Sequence, residues 1–123
     1  TQVPIDHITG EYLSESAFAY QLMDDSMSPD IISKDLLVIA PKKPATPGCY
    51  VLAFFHDNKE VVVRQYREKG FDKNKNRLFE LVPANGNWPV LSSKESELQL
   101  IGCIVEQRKY FLNYRTRVRV LCS

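Results

Sequence analysis

Two residues of this chain have types that suit chemistry. Ser26 sits where an apolar stretch meets a turn, in Asp25-Ser26-Met27-Ser28-Pro29-Asp30, and Arg64 sits in a run of valines, Glu60-Val61-Val62-Val63-Arg64-Gln65-Tyr66. A serine hydroxyl is a poor nucleophile at neutral pH and needs a neighbouring base to take its proton. A lysine serves when burial among apolar side chains disfavours its ammonium form and populates the free amine. The valine-rich strand supplies that setting, but the residue in it is an arginine. A guanidinium has a pKa above about 12 and stays charged when buried, so Arg64 can donate hydrogen bonds to Ser26 or hold an anion but cannot readily accept the serine proton. Taken singly, Ser26 fits a turn or capping serine, and Arg64 fits a strand arginine that reaches solvent or an acidic neighbour such as Asp25.

Other chemistries have little to draw on. His7 and His56 are the only histidines, too few for a Ser-His-Asp triad with alternatives or for a histidine-based metal site. Cys49, Cys103 and Cys122 are odd in number, widely spaced and without a CxxC pair, which argues against a disulfide framework and a zinc knuckle and predicts reduced thiols, buried at Cys49 and Cys103. No cofactor or metal is expected. The net charge of +1, from 16 basic and 15 acidic residues, gives no global signal for nucleic acid, so any electrostatic partner must be met by a local patch. No window of about 18 apolar residues marks a membrane span or a secretory leader, which predicts a cytoplasmic protein with no membrane partner.

The elements that must position Ser26 and Arg64 read as short strands. At 123 residues the chain suits a single domain with one core. Residues 1–16 are polar and punctuated by Pro4 and Gly10, an extended arm, and residues 17–123 form the domain. Ala17–Met23 reads as a strand with Phe18, Tyr20 and Leu22 on one side, and Ser28-Pro29 as an N-cap with proline opening a short turn through Ile31-Ile32. Leu36–Ala40 is a buried strand. Pro47-Gly48 is a turn signal, and Cys49–Phe55 and Glu60–Tyr66 are the arms of a hairpin closed by Asp57-Asn58-Lys59. Within the second arm, alternation puts Val62, Arg64 and Tyr66 on one face and Val61, Val63 and Gln65 on the other. Leu78–Val82 and Leu98–Val105 are further strands, separated by the Asn85-Gly86-Asn87 turn and a polar loop over 91–97. Trp88 reads as a partly buried indole after that turn. Arg115, Arg117 and Arg119 alternate with Thr116, Val118 and Val120 in a strand with a cationic face, read as an edge strand whose arginines deter edge-to-edge pairing, with phosphate contact as the alternative. The fold class is therefore mostly β, in one domain.

The pattern Asp25-Ser26-Met27-x-Pro29-x-Ile31, then Asp35-Leu36-Leu37-Val38, Pro47-Gly48-x-x-Val51-Leu52-Ala53, Glu60-x-x-Val63-basic, Leu81-x-Pro83-x-Asn85 and Ile101-Gly102-x-x-Val105 resembles the C-terminal domain of LexA-type repressors. That family includes self-cleaving phage repressors and UmuD-like mutagenesis proteins. The resemblance spans Phe18 to Val105 in order and spacing, and implies a bent β-sheet framing a shallow cleft. Carried over by position, Ser26 takes the place of the nucleophile and Arg64 that of the lysine general base. Asp24 and Lys34 stand where the family has glycine, and Cys49 where it has aspartate after Pro-Gly. The Ala-Gly or Cys-Gly bond that self-cleaving members cut has no counterpart in residues 1–25, where only Thr9-Gly10 occurs.

The resemblance implies the dimerisation and regulatory domain of a phage-like transcriptional repressor, unable to cleave itself because Arg64 replaces the lysine. It implies a homodimer with a contact at Leu98–Val105, operator DNA met through a helix-turn-helix domain expected before Thr1, and an antirepressor or RecA-like regulator as partner. One alternative is an active LexA- or UmuD-type serine peptidase performing autoproteolysis, with Lys34 or Lys59 as base. Another is a direct nucleic-acid binder using Arg115, Arg117 and Arg119.

Overall fold

The computed structural model describes residues 2–3, 16–110 and 116–122. They form β1 (Gln2–Val3), β2 (Phe18–Gln21), β3 (Leu36–Ala40), β4 (Tyr50–Phe55), β5 (Glu60–Phe71), β6 (Arg77–Val82), β7 (Leu91–Ser92), β8 (Leu98–Tyr110) and β9 (Thr116–Val120), with no helix among the described residues. The strands make one antiparallel sheet in the order β1-β2-β3-β8-β4-β5-β6-β7, with β9 added on β8. The mostly β single sheet expected from the pattern is what the chain adopts. Of the arm expected over 1–16, only Gln2–Val3, paired with Tyr20 and Ala19, and Ser16 fall within the described residues.

Burial on both faces of the central strands accounts for their nearly unbroken apolar runs. Along β4 and β5, side chains alternate between two clusters. Leu52 and Val63 join Leu22, Met27, Ile31, Leu37, Ile39 and Ile104, with Phe18 and Tyr20 packed against them. Val51, Ala53, Val62 and Tyr66 join Leu81 and Leu91 on the other side. Arg64 therefore shares its face with Val62 and Tyr66, and only 2% of it is exposed.

Several expectations change in extent. β5 runs to Phe71 and not Tyr66, because Arg67, Glu68 and Phe71 pair with β6 beyond the core in an exposed ribbon. The loop at 91–97 contains β7, whose Leu91 is buried against Leu81, its partner on β6. Ser28-Pro29 opens a turn without any helix. Pro47-Gly48 behaves as a turn should: Gly48 has φ of +90, in the region a side chain disfavours.

β8 is the spine of the sheet. It pairs with β4 through Leu98–Cys103, with β3 through Cys103–Arg108 and with β9 through Glu106–Tyr110. Of the expected contact region Leu98–Val105, Cys103, Ile104 and Val105 are wholly buried inside the sheet, and Leu98, Gln99, Leu100 and Ile101 keep some exposure. The exposed apolar side chains near the C-terminal strand are Val118 and Val120. They lie on the opposite side of β9 from Arg119, which donates to the Asp30 carbonyl.

β3 leans tightly on β8 at Gly102, next to an irregularity in the β4–β8 register between Leu52 and Ala53. A Cβ at Gly102 would lie 2.8 Å from Ile39 Cγ2, 2.9 Å from Pro41 Cα and 3.0 Å from the Ala40 oxygen. Two of those neighbours are backbone and cannot rotate away. Gly102→Ala is expected to destabilise the domain by about 1–3 kcal/mol through overpacking, measured as a lower urea midpoint at unchanged m-value.

Candidate active site

The Ser26 loop leaves and re-enters the sheet at one point. Leu22 N–H donates to the Asp35 carbonyl at 3.0 Å, and Lys34 N–H donates to the Leu22 carbonyl. Met27 and Ile31 drop into the core, 1% and 0% exposed, and Ile31 N–H donates back to the Met27 carbonyl at 2.9 Å. The buried Asp35 carboxylate fixes the loop's far end, accepting from Ile32 N–H (3.0 Å), Gln107 Nε2 (2.6 Å) and Lys109 Nζ (3.1 Å). Lys34 turns the corner at φ of +79, a glycine-like conformation occupied by a lysine.

With its loop anchored this way, Ser26 is wholly buried. Arg64 NH1 donates to Ser26 Oγ at 2.8 Å and to the Val63 carbonyl, also at 2.8 Å. Ser26 Oγ in turn donates to Asp24 Oδ1 at 2.6 Å, and the same carboxylate oxygen accepts from Ser26 N–H at 3.0 Å. The structure thus brings together the serine and the arginine and adds Asp24. Its sequence signal was local: an aspartate two residues before a backbone N–H in a turn reaches forward to that N–H. Asp25, the acidic neighbour considered for Arg64, is held elsewhere by Trp88 Nε1 at 2.9 Å and Asn85 Nδ2 at 3.3 Å.

The turn over 85–88 clamps the site from the β6 side. Asn85 N–H donates to the Ser26 carbonyl at 2.9 Å. The Trp88 ring lies 5.5 Å from the Arg64 guanidinium carbon, a cation–π contact. A cavity of about 140 Å³ borders Arg64, Trp88, Glu60 and Phe55, but Ser26 is not in its lining.

The hydroxyl lies between a hydrogen-bond donor and a carboxylate. Burial pushes the Arg64 guanidinium below its ordinary range, and the nearby Asp24 and Glu60 carboxylates oppose that shift. A guanidinium so placed is a donor, and its bond occupies a lone pair of Ser26 Oγ. The group that accepts the serine hydrogen bond is the Asp24 carboxylate, and a carboxylate is a weaker base than the amine of a lysine. The two lysines considered as alternative bases are exposed turn residues, Lys34 at φ of +79 and Lys59 at φ of +53.

A family model described as Peptidase S24-like matches residues 2–105. The chain belongs to the Peptidase S24-like family. This is the family of LexA C-terminal and UmuD-like domains. A search of the curated proteins finds no match. The S24-like span covers Ser26, Arg64 and the Asn85 turn and stops at Val105, so β9 and Cys122 lie beyond it.

If Asp24, Ser26 and Arg64 act as one buried hydrogen-bonded unit, their deletions are not additive. Ser26→Ala strips Asp24 and Arg64 of a shared partner and is expected to cost about 1–3 kcal/mol. In an Asp24→Ala background the same change is expected to cost less, by at least about 0.5 kcal/mol. Urea denaturation of the two single variants and the double variant measures the difference.

Proposed function

We propose that this S24-like domain is the dimerisation and regulatory domain of a phage-like transcriptional repressor, and that its peptidase site is silent. The observation that carries the reading is the Arg64 NH1 donation to Ser26 Oγ, because it sets a permanent donor where a serine peptidase needs a proton acceptor. The short Ser26–Asp24 bond supports it by directing the hydroxyl proton to a weak base. The active-peptidase reading needs a neutral amine beside Ser26, and the exposure of Lys34 and Lys59 weighs against either supplying it.

In this reading the fold outlives the chemistry as an assembly device. Two copies joined here hold two DNA-binding domains at one effective concentration, which raises operator affinity without new base contacts. Operator contact belongs to a helix-turn-helix domain outside this sequence. Release from the operator then falls to a partner, an antirepressor or a RecA-like regulator. Exposed Val118 and Val120 favour β9 over Leu98–Val105 as the surface a second copy covers. The arginine-based nucleic-acid reading has Arg117 and Arg119 exposed on β9 to support it, although Arg119 is engaged with the Asp30 carbonyl and Arg115 lies outside the described residues.

Incubation at alkaline pH followed by gel electrophoresis is expected to leave the purified domain intact. Fragments that accumulate with time and vanish in Ser26→Ala overturn the silent-site reading. Restoring the family's residues in an Asp24→Gly, Arg64→Lys double variant, with an Ala-Gly bond supplied in a peptide, is expected to produce serine-dependent cleavage. Sedimentation equilibrium is expected to give a dimer that Val118→Asp with Val120→Asp converts to monomer; a dimer unmoved by those changes removes β9 from the contact.

A further inference from the structure

The cysteines, widely spaced in sequence and without a metal-binding motif, converge in space. Cys49 lies just before β4, Cys103 on β8 and Cys122 just after β9, and their sulfur atoms all lie within 4.8 Å of one another. Cys103 is wholly buried, Cys49 is 8% exposed, and Cys122 is half-buried. Cys49 Sγ is 2.7 Å from Cys122 Sγ and 2.9 Å from the Thr46 hydroxyl. The route to this cluster is topological. Cys103 pairs with Val51 on β4, two residues beyond Cys49, while the chain leaving β9 returns to β8 through a Leu121 N–H bond to the Val105 carbonyl, two residues beyond Cys103.

We propose that Cys49, Cys103 and Cys122 form a binding site for a divalent thiophilic cation of the zinc class, which staples the end of β9 to the body of the sheet. Three sulfurs each about 2.3 Å from a central ion lie about 4 Å apart, a triangle that fits within the observed spread once the Cys49–Cys122 pair opens by about 1 Å. Cys122 can absorb that opening, because it lies past the end of β9 and its N–H bond to Val105 is a long 3.5 Å. An all-sulfur donor set without carboxylate or imidazole selects a soft or borderline ion over magnesium or calcium.

Charge narrows the class further. Three thiolates around a divalent ion leave one net negative charge, which Lys43, electrostatically coupled to Cys122, can offset. A monovalent ion leaves two negative charges in a largely buried site, a costlier arrangement. The fourth position of a tetrahedron is open to the Thr46 hydroxyl or to water from the exposed side of Cys122.

The test uses the full chain, reduced with a phosphine and stripped by a chelator, then titrated with cobalt(II). Thiolate-to-cobalt charge-transfer absorption is expected to saturate at one ion per chain, at an intensity corresponding to three thiolates, and to disappear when zinc is added. Zinc is expected to raise the melting temperature of the wild type and not of Cys122→Ser, whose half-exposed position makes it the variant that keeps the fold if Cys103→Ser does not. Absence of the charge-transfer band, a band undiminished in Cys122→Ser, or a zinc-dependent stabilisation that survives that substitution overturns the proposal. Exclusive formation of a Cys49–Cys122 disulfide in the stripped protein, with no cobalt uptake after phosphine reduction, also overturns it. None of these outcomes depends on whether the serine site is silent.

Discussion

A buried serine hydroxyl held between a carboxylate and a guanidinium is the constraint around which the rest of this domain is arranged. Ser26 Oγ donates to Asp24 and accepts from Arg64 NH1, so the buried hydroxyl is matched on both sides, while Arg64 Nε is buried without a hydrogen-bond partner among the described residues. Leaving the hydroxyl unmatched would cost the desolvation of a buried polar group, on the order of 1–3 kcal/mol. The geometry demands a loop that returns to its own starting strand, which the Leu22 and Asp35 backbone bonds provide. It also demands a strand that carries a charge through an apolar layer. Val62 and Tyr66 flank Arg64 along its own face, and Val63 anchors β5 in the opposite cluster.

In the proposed reading, a peptidase site has changed role with little change in shape. The family places a lysine whose charge can be removed by burial; the arginine here has the reach to touch the same hydroxyl but keeps its charge. Such a charge needs compensation, and Asp24, at a position where the family has glycine, supplies it through Ser26 and through space. The Trp88 ring covers the guanidinium, and its indole N–H ties the neighbouring Asp25. In the proposed reading, Asp24 and Arg64 tie the hydroxyl into a structural unit in place of a proton-transfer pair.

The parts of the fold legible in the sequence were those whose signal is local. Leu36–Ala40 reads as a strand because five successive apolar residues fit a β-strand buried on both faces, and the Val62/Arg64/Tyr66 alternation follows from the pleat alone. The outer half of β5 was not legible, since Arg67–Phe71 carry no apolar pattern and are held by pairing to β6. β7 was hidden for the same reason, a two-residue strand within a polar loop. Ser26 and Arg64 were legible only as a pair of family positions. Asp24 was visible as a departure, but its bond to Ser26 depends on the loop closing at Leu22 and Asp35.

The cysteines mark the limit of that legibility. Motif spacing detects metal sites whose ligands sit on one turn or one hairpin, because only there does sequence distance fix spatial distance. In an antiparallel sheet whose longest strand pairs with three others, residues 49, 103 and 122 meet because β8 lies beside β4 and β9 along the same spine. Nothing in the interval between them encodes that meeting; it is a consequence of strand order. The Ser26 cluster closes a loop against a neighbouring strand; the proposed cysteine site would tie the end of β9 to the spine.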